Sequence, residues 1–323
     1  MKKTVVKTEK FPFTIHHESK VVFLGSCFAE NLSALMKAHA FNVEANPFGV
    51  LFHPSSITNV ILQSLEDTSF NSSVIQREDV FLSWDASSTV YAMSSEEMNA
   101  TLANKYTSLK AQLKDTDVLF LTLGTAWGYL LKTSGRHVAN CHKFPSDMFD
   151  KQLTPVDEML ESMRKTIDLL LAVNPTLRIV MTVSPVRHVK DGLIENTRSK
   201  ARLIELVHTL ISDYSSVYYF PAYEIVLDEL RDYAYFEGDG VHPNSFSVSH
   251  IWETFSTCFF SQETLHVAKA FHSLVKLKEH RLIHEESKAS KDFKLQLTQK
   301  IKDFQQANPK IDCSFITNGL DLY

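Results

Sequence analysis

The sequence predicts an α/β fold in which a parallel sheet is covered by helices on both faces. Three observations carry the prediction. Short, nearly continuous apolar runs recur at residues 21–24, 117–123, 178–183 and 217–220, as strands buried on both faces require. Longer segments with three-and-four apolar spacing separate them. Each run stops at a punctuating residue: Gly25, Gly124, Ser184-Pro185 or Pro221.

The elements follow in order. Val21 to Leu24 is a buried strand, and a helical pattern begins directly after Gly25-Ser26. Residues 41–45 are a weaker strand candidate. Residues 55–65, with Pro54 near their start, predict a helix. Residues 66–96 are irregular around Val80-Phe81-Leu82-Ser83-Trp84, and a small hairpin or insertion is expected there. A helix over 97–114 leads to the strand 117–123. Residues 128–150 contain Gly135 and Pro145 and predict a long functional loop. Thr154-Pro155 then opens a helix, and Val156, Met159, Leu160, Met163, Ile167, Leu170 and Leu171 lie on one face of it. Asn174-Pro175 ends that helix before the strand 178–183. A helix over 195–213 precedes the last strand. After Asn244 the pattern is helical to about residue 307. Over 286–307, Phe293, Leu297, Ile301 and Phe304 form a narrow apolar seam. It is expected to dock on the domain or to join two copies into a homo-oligomer. The expected organisation is a domain over 1–262 followed by a helical extension over 263–323.

Composition excludes several classes. With 323 residues, 44% of them hydrophobic and 22% charged, the chain is that of an ordinary globular protein. A formal charge of -5 gives no electrostatic reason to expect nucleic acid or an acidic membrane surface as partner. No apolar run is long enough to span a bilayer. The basic start lacks the apolar stretch of a secretion signal. Cysteines 27, 141, 258 and 313 form no Cys-x-x-Cys pair and fit a reducing compartment, so a cytoplasmic location is expected. No dinucleotide or phosphate-binding glycine loop is present, and no cofactor is expected.

Two places carry chemistry. Ser26 sits between a strand and a helix, where it can simply cap the helix. The same place also suits a nucleophile. Helix N-termini offer unpaired N–H groups to an oxyanion, and ligands of parallel sheets bind at the carboxyl ends of strands. The second place is Asp239-Gly240-Val241-His242-Pro243. Asp-x-x-His in a short turn can hold a carboxylate against one imidazole nitrogen and leave the other free for a hydroxyl. A plain turn is the alternative. Ser26, His242 and Asp239 are therefore the candidate nucleophile, base and orienting acid.

Gly25-Ser26-Cys27-Phe28-Ala29 resembles the motif for which the GSCFA family is named. That family resembles a branch of the SGNH (GDSL-like) hydrolase superfamily. The resemblance runs over most of residues 11–260 and includes Asn46-Pro47-Phe48-Gly49-Val50, Leu123-Gly124-Thr125-Ala126-Trp127, Asn140-Cys141-His142-Lys143, Ser184-Pro185-Val186 and Gly240-Val241-His242-Pro243. It implies a flavodoxin-like three-layer α/β/α sandwich with a central five-stranded parallel sheet. It also implies an acyl-Ser26 intermediate, with His242 as base and Asp239 orienting it. The expected reaction is hydrolysis of a small-molecule or carbohydrate ester, such as an O-acetyl ester. An O-acyltransferase uses the same parts, and a non-catalytic binding protein on a hydrolase fold is the reading from another class. Two departures matter. Leu24-Gly25 replaces the Gly-Asp that usually precedes the serine, and Ala126 stands where the third motif supplies an asparagine donor. The expected oxyanion hole is therefore the N–H groups of Ser26 and Gly49, completed by Asn140 or Thr125.

Other residues are weighed beside these. Cys27 invites a cysteine–histidine reading against that of a small residue behind the nucleophile. Trp127 and Tyr129 are candidates for an acyl or sugar pocket, or for plain core. Arg136, His137, Lys143, Arg187 and His188 are candidates for a basic rim over the strand ends, or for solvated surface. Trp127, His142 and Arg187 are the expected substrate-binding residues. Asn140-Cys141-His142 lacks partners at metal-ligand spacing, and no metal is expected.

Overall fold

The computed structural model describes residues 4–66, 73–280, 284 and 287–317. In chain order the elements are β1 (Val21–Gly25), α1 (Cys27–Lys37), β2 (Val43–Ala45), α2 (Pro54–Leu65), β3 (Val74–Arg77), β4 (Val80–Ser83), α3 (Ser95–Lys114), β5 (Val118–Leu123), β6 (Trp127–Leu131), β7 (Arg136–His137), β8 (Phe149–Leu153), α4 (Val156–Val173), β9 (Arg178–Val183), α5 (Leu193–Asp213), β10 (Val217–Tyr219), the short α6 (Ala222–Glu224), α7 (Ser245–Phe259), α8 (Gln262–Lys278), α9 (Lys288–Ala307) and α10 (Ser314–Thr317).

The central sheet is parallel, with strand order β10-β9-β5-β1-β2. This is the flavodoxin order, and its switch point lies between β1 and β5. Alternation divides the strand side chains between two layers. Val22, Leu24, Leu119, Leu121, Ile179 and Met181 pack on the α2–α5 side. Val21, Phe23, Phe120 and Val180 pack on the side of α1 and α7. Phe23 stacks on Phe120, with ring centroids 4.4 Å apart. Because helices cover both faces, every residue of β1 and β5 is buried.

The irregular region after α2 holds the expected hairpin, β3–β4. Residues 128–150 differ from the expected loop. β6 pairs antiparallel with both β7 and β8 to make a small three-stranded sheet. Asp150 and Lys151 of β8 are exposed, so the run has no continuous apolar signature. In α9 Leu297, Ile301 and Phe304 are buried and Phe293 packs beside them, against Phe271, Leu274 and Val275 of α8. The apolar seam thus docks within the chain. The beginning of the predicted 286–307 segment lies outside the described residues.

Gly25 fixes the approach of β1 to β5. Its φ is +140°, and a Cβ there would lie 2.1 Å from the Thr122 carbonyl oxygen. Gly25→Ala is expected to destabilise the fold by about 3 kcal/mol or more, through overpacking and backbone strain at one position. Denaturant unfolding checks this, and a loss under ~1 kcal/mol would show that the two strands can part without cost.

Candidate active site

Ser26 follows β1 at the switch point. Its backbone is extended (φ −70°, ψ 172°), and its Oγ accepts the Phe28 N–H at 3.3 Å as N-cap of α1. The serine is therefore both helix cap and first residue at the strand end, and only 1% of it is exposed. Burial raises the pKa of the neighbouring Cys27 thiol, and Glu30 adds to the rise. The thiol stays protonated and is a poor nucleophile.

Asp239 and His242 are joined on the turn before α7. His242 Nδ1 and Asp239 Oδ2 are 2.7 Å apart. Asp239 Oδ1 accepts the N–H groups of Val241 and His242 at 2.8 and 3.1 Å. The bond to His242 and those two N–H groups hold the Asp239 pKa down, to about 2. The imidazole proton then lies on Nδ1, and Nε2 has no protein partner among the described residues. His242 and Asp239 are about half exposed. No hydrogen bond joins His242 to Ser26.

The turn is fastened to the end of β9. The Arg187 N–H donates to Val241 O at 3.3 Å, and Arg187 Nη1 donates to Gly240 O at 3.1 Å. The guanidinium lies over Phe236 at 4.2 Å and Tyr233 at 5.2 Å. Arg187 is thus occupied in holding the loop. His188 next to it has its pKa lowered to about 4, mainly by burial, with Lys200 and His242 adding positive charge nearby.

The expected oxyanion donors meet a different outcome. The Ser26 N–H donates to Thr122 O at 3.0 Å, extending the β1–β5 ladder. The Gly49 N–H donates to Asn46 O at 2.7 Å, closing a four-residue turn. Thr125 Oγ1 accepts the Trp127 N–H and shares a proton with Ser199 Oγ, each at 3.0 Å. Asn140 Oδ1 accepts the His142 N–H at 2.7 Å. Asn140 and His142 line a cavity of about 470 Å³ beside the β3–β4 hairpin, with Arg77, Tyr91 and Lys143. None of Ser26, Asp239 and His242 lines it. His142 is buried, and its Nε2 bonds to Ser83 O at 2.7 Å. It packs the hairpin from the wall of that cavity, away from Ser26, Asp239 and His242. The expected basic rim is also dispersed, because Arg136 pairs with Asp85 and His137 with Glu158.

Trp127 does line a cleft. A cavity of about 220 Å³ is bounded by Phe52, His53, Thr125, Trp127, Tyr129 and His188, among others. Lys151 Nζ sits 5.0 Å from the Trp127 ring centroid and pairs with Asp191.

Three buried polar residues escaped the sequence reading. Asn196 Oδ1 accepts the His188 N–H at 2.9 Å. Ser199 Oγ accepts the Ala126 N–H at 2.7 Å. Lys200 Nζ donates to Gly124 O and Ser184 O, each at 2.6 Å, and so clasps the ends of β5 and β9. Complete burial pulls the Lys200 pKa down to about 7. A signal was present. Residues 196, 199, 200, 203, 206, 207 and 210 share the core-facing stripe of α5, and the first three are polar. Among the described residues no cluster of histidine, cysteine, aspartate or glutamate could hold a metal ion, and no helix is long and apolar enough to cross a membrane.

The strand order and the capped serine define an α/β sandwich with a hydroxyl at its switch point and an aspartate–histidine pair on a loop tied to β9. The chain belongs to the GSCFA family, whose model matches residues 20–255. No curated protein matches. Similar solved structures include a putative acylhydrolase from Bacteroides fragilis NCTC 9343 (11% identity, 80% of this chain and 91% of that one, TM-score 0.39). A family 3 carbohydrate esterase from Talaromyces cellulolyticus (10% identity, 78% and 98%, TM-score 0.34) is another. A third is a family 3 carbohydrate esterase from Clostridium thermocellum (12% identity, 79% and 98%, TM-score 0.33). Likeness at this level bears on neither reaction nor substrate.

Proposed function

We propose that this protein is a serine acyl hydrolase that cleaves a small ester through an acyl-Ser26 intermediate. The observation that supports it most is the 2.7 Å Asp239–His242 bond, which leaves Nε2 free as a base. In this reading Ser26 Oγ attacks the ester carbonyl carbon as its proton passes to His242 Nε2. The tetrahedral oxyanion collapses and breaks the bond to the alcohol oxygen, which leaves with the proton from His242. Water then repeats the sequence and releases the acid. An alcohol in place of that water would make the same site an O-acyltransferase. Asp239 remains ionised and balances the imidazolium. The substrate class proposed is an O-acetyl ester of a sugar or small metabolite; the cleft beside Trp127 and Tyr129, which none of Ser26, Asp239 and His242 lines, does not carry that choice.

A fluorophosphonate probe tests the reading. The wild-type chain should be labelled at Ser26, and Ser26→Ala should abolish labelling while losing only ~1 kcal/mol of stability as an N-cap. Cys27→Ala should leave labelling in place. Labelling that follows Cys27 and survives Ser26→Ala would make this a thiol enzyme.

A further inference from the structure

Asn46 follows β2, directly beside the end of β1. Its φ of +45° is a left-handed conformation that asparagine tolerates better than most residues. Three bonds fix it. Its N–H donates to Phe23 O at 2.9 Å, and its carbonyl accepts the Gly49 N–H at 2.7 Å. Its Oδ1 accepts the Gly25 N–H at 2.8 Å. The last bond settles the orientation of the amide, since only the oxygen can accept from an N–H.

The amide nitrogen is thereby left over. Asn46 is only 8% exposed, and its Nδ2 is buried with no hydrogen-bond partner. A buried donor of this kind costs folding free energy and calls for an explanation. It belongs to a side chain anchored on the residue immediately before Ser26. Of the other donors expected around Ser26, the Ser26 and Gly49 N–H groups are engaged, Thr125 Oγ1 bonds to Ser199 Oγ, and Asn140 lines a cavity that Ser26 does not. The third-motif position holds Ala126, which has no side-chain donor.

We propose that Asn46 Nδ2 is a catalytic hydrogen-bond donor to the oxyanion formed when Ser26 attacks an ester carbonyl. The inference rests on the acyl-Ser26 reading. The asparagine absent after β5 is replaced from the strand on the other side of β1. As electrons move from the carbonyl π bond to oxygen, Asn46 Nδ2 gains the acceptor it lacks in the unliganded protein. A donor whose partner exists only in the transition state raises turnover rather than substrate binding.

The test compares the full-length wild type with Asn46→Asp and Asn46→Ala. Two readouts are followed: the rate of fluorophosphonate labelling at Ser26, and kcat and KM for 4-nitrophenyl acetate. Asn46→Asp keeps an oxygen for the Gly25 N–H and removes the donor. Asn46→Ala is uncharged and removes both. Both variants should label about 100- to 1,000-fold more slowly, with a matching fall in kcat and little change in KM. If Asn46→Asp labels within about threefold of wild type, the residue is only an anchor for Gly25 and the proposal is overturned, whatever Asn46→Ala does. A wild type that is not labelled at all would overturn the acyl-Ser26 reading itself, which is a separate result.

Discussion

His242→Ala is expected to lower the rate of Ser26 acylation by about 100- to 10,000-fold, the range a positioned general base supplies. Fold stability should change little, because the side chain is half exposed and its one side-chain bond is to an exposed carboxylate. Asp239→Asn tests the same pair from the other side. Its amide oxygen can still accept the Val241 and His242 N–H groups, so the turn survives. Its amide nitrogen would donate to Nδ1, moving the imidazole proton to Nε2, where it blocks uptake of the serine proton. Asp239→Asn should therefore lose activity about as severely as His242→Ala, and the double variant should lose little more. Losses that multiply would show that the two residues act independently. The low Asp239 pKa also means that any fall of activity between pH 7 and 4 does not come from protonation of this carboxylate.

Acidification is expected to destabilise the fold well above the carboxylate range. Burial lowers the pKa of His39 to about 4 and that of His53 to about 3. His53 caps α2, with Nδ1 accepting the Ser55 N–H at 3.1 Å while Nε2 meets Thr154 Oγ1 at 3.0 Å. A proton on Nδ1 would break the cap and place a charge 4.9 Å from the stacked His137 ring. His39 lies between Trp252 and His272, and its Nδ1 bonds to Leu35 O at 2.7 Å. The unfolded chain binds a proton at each histidine near pH 6.5, and the folded chain only near pH 3–4. The stabilisation is full above pH 6.5 and is lost as the pH falls toward the folded values. At pH 5 each site has cost about 2 kcal/mol on this reckoning, a large share of a typical domain's stability. Guanidinium midpoints at pH 7, 6 and 5 check the slope. His53→Asn, which keeps an N-cap acceptor, should flatten it, and a midpoint independent of pH would contradict the burial argument.

What was legible in the sequence follows from which interactions are local. β1, β5, β9 and β10 announce themselves because strands covered on both faces must be apolar throughout. Ser26 and the Asp239–His242 turn stand out because their meaning depends on residues one to three positions away. The oxyanion donors were not legible. Whether the Gly49 or Ser26 N–H is free depends on a turn closing onto Asn46 O and on a ladder reaching Thr122 O, and neither partner is marked in composition. The role of Asn46 is not legible in its motif, since an orphaned amide shows only when its neighbours are in place. Lys200 was missed because a lysine on an amphipathic helix is expected in water, and only the chance of two carbonyl acceptors at the strand ends lets it point inward. The small sheet after β5 is not legible because β8 carries the polar residues Asp150, Lys151 and Gln152 in succession and no apolar run.

The grip of Arg187 on the Gly240-Val241 backbone bears on how much base the serine encounters. Ser26 is fixed to β1 and α1, whereas His242 rides on a turn held by its own bonds and by the backbone N–H and guanidinium of Arg187. An imidazole tethered in this way acts at an effective concentration set by the span and stiffness of its attachment. Arg187 narrows the volume that the ring can explore without touching the reaction. Under the acyl-Ser26 proposal, the chemistry of the pair is written in Asp239 and His242, while its local dose at the Ser26 hydroxyl is set from the loop after β9.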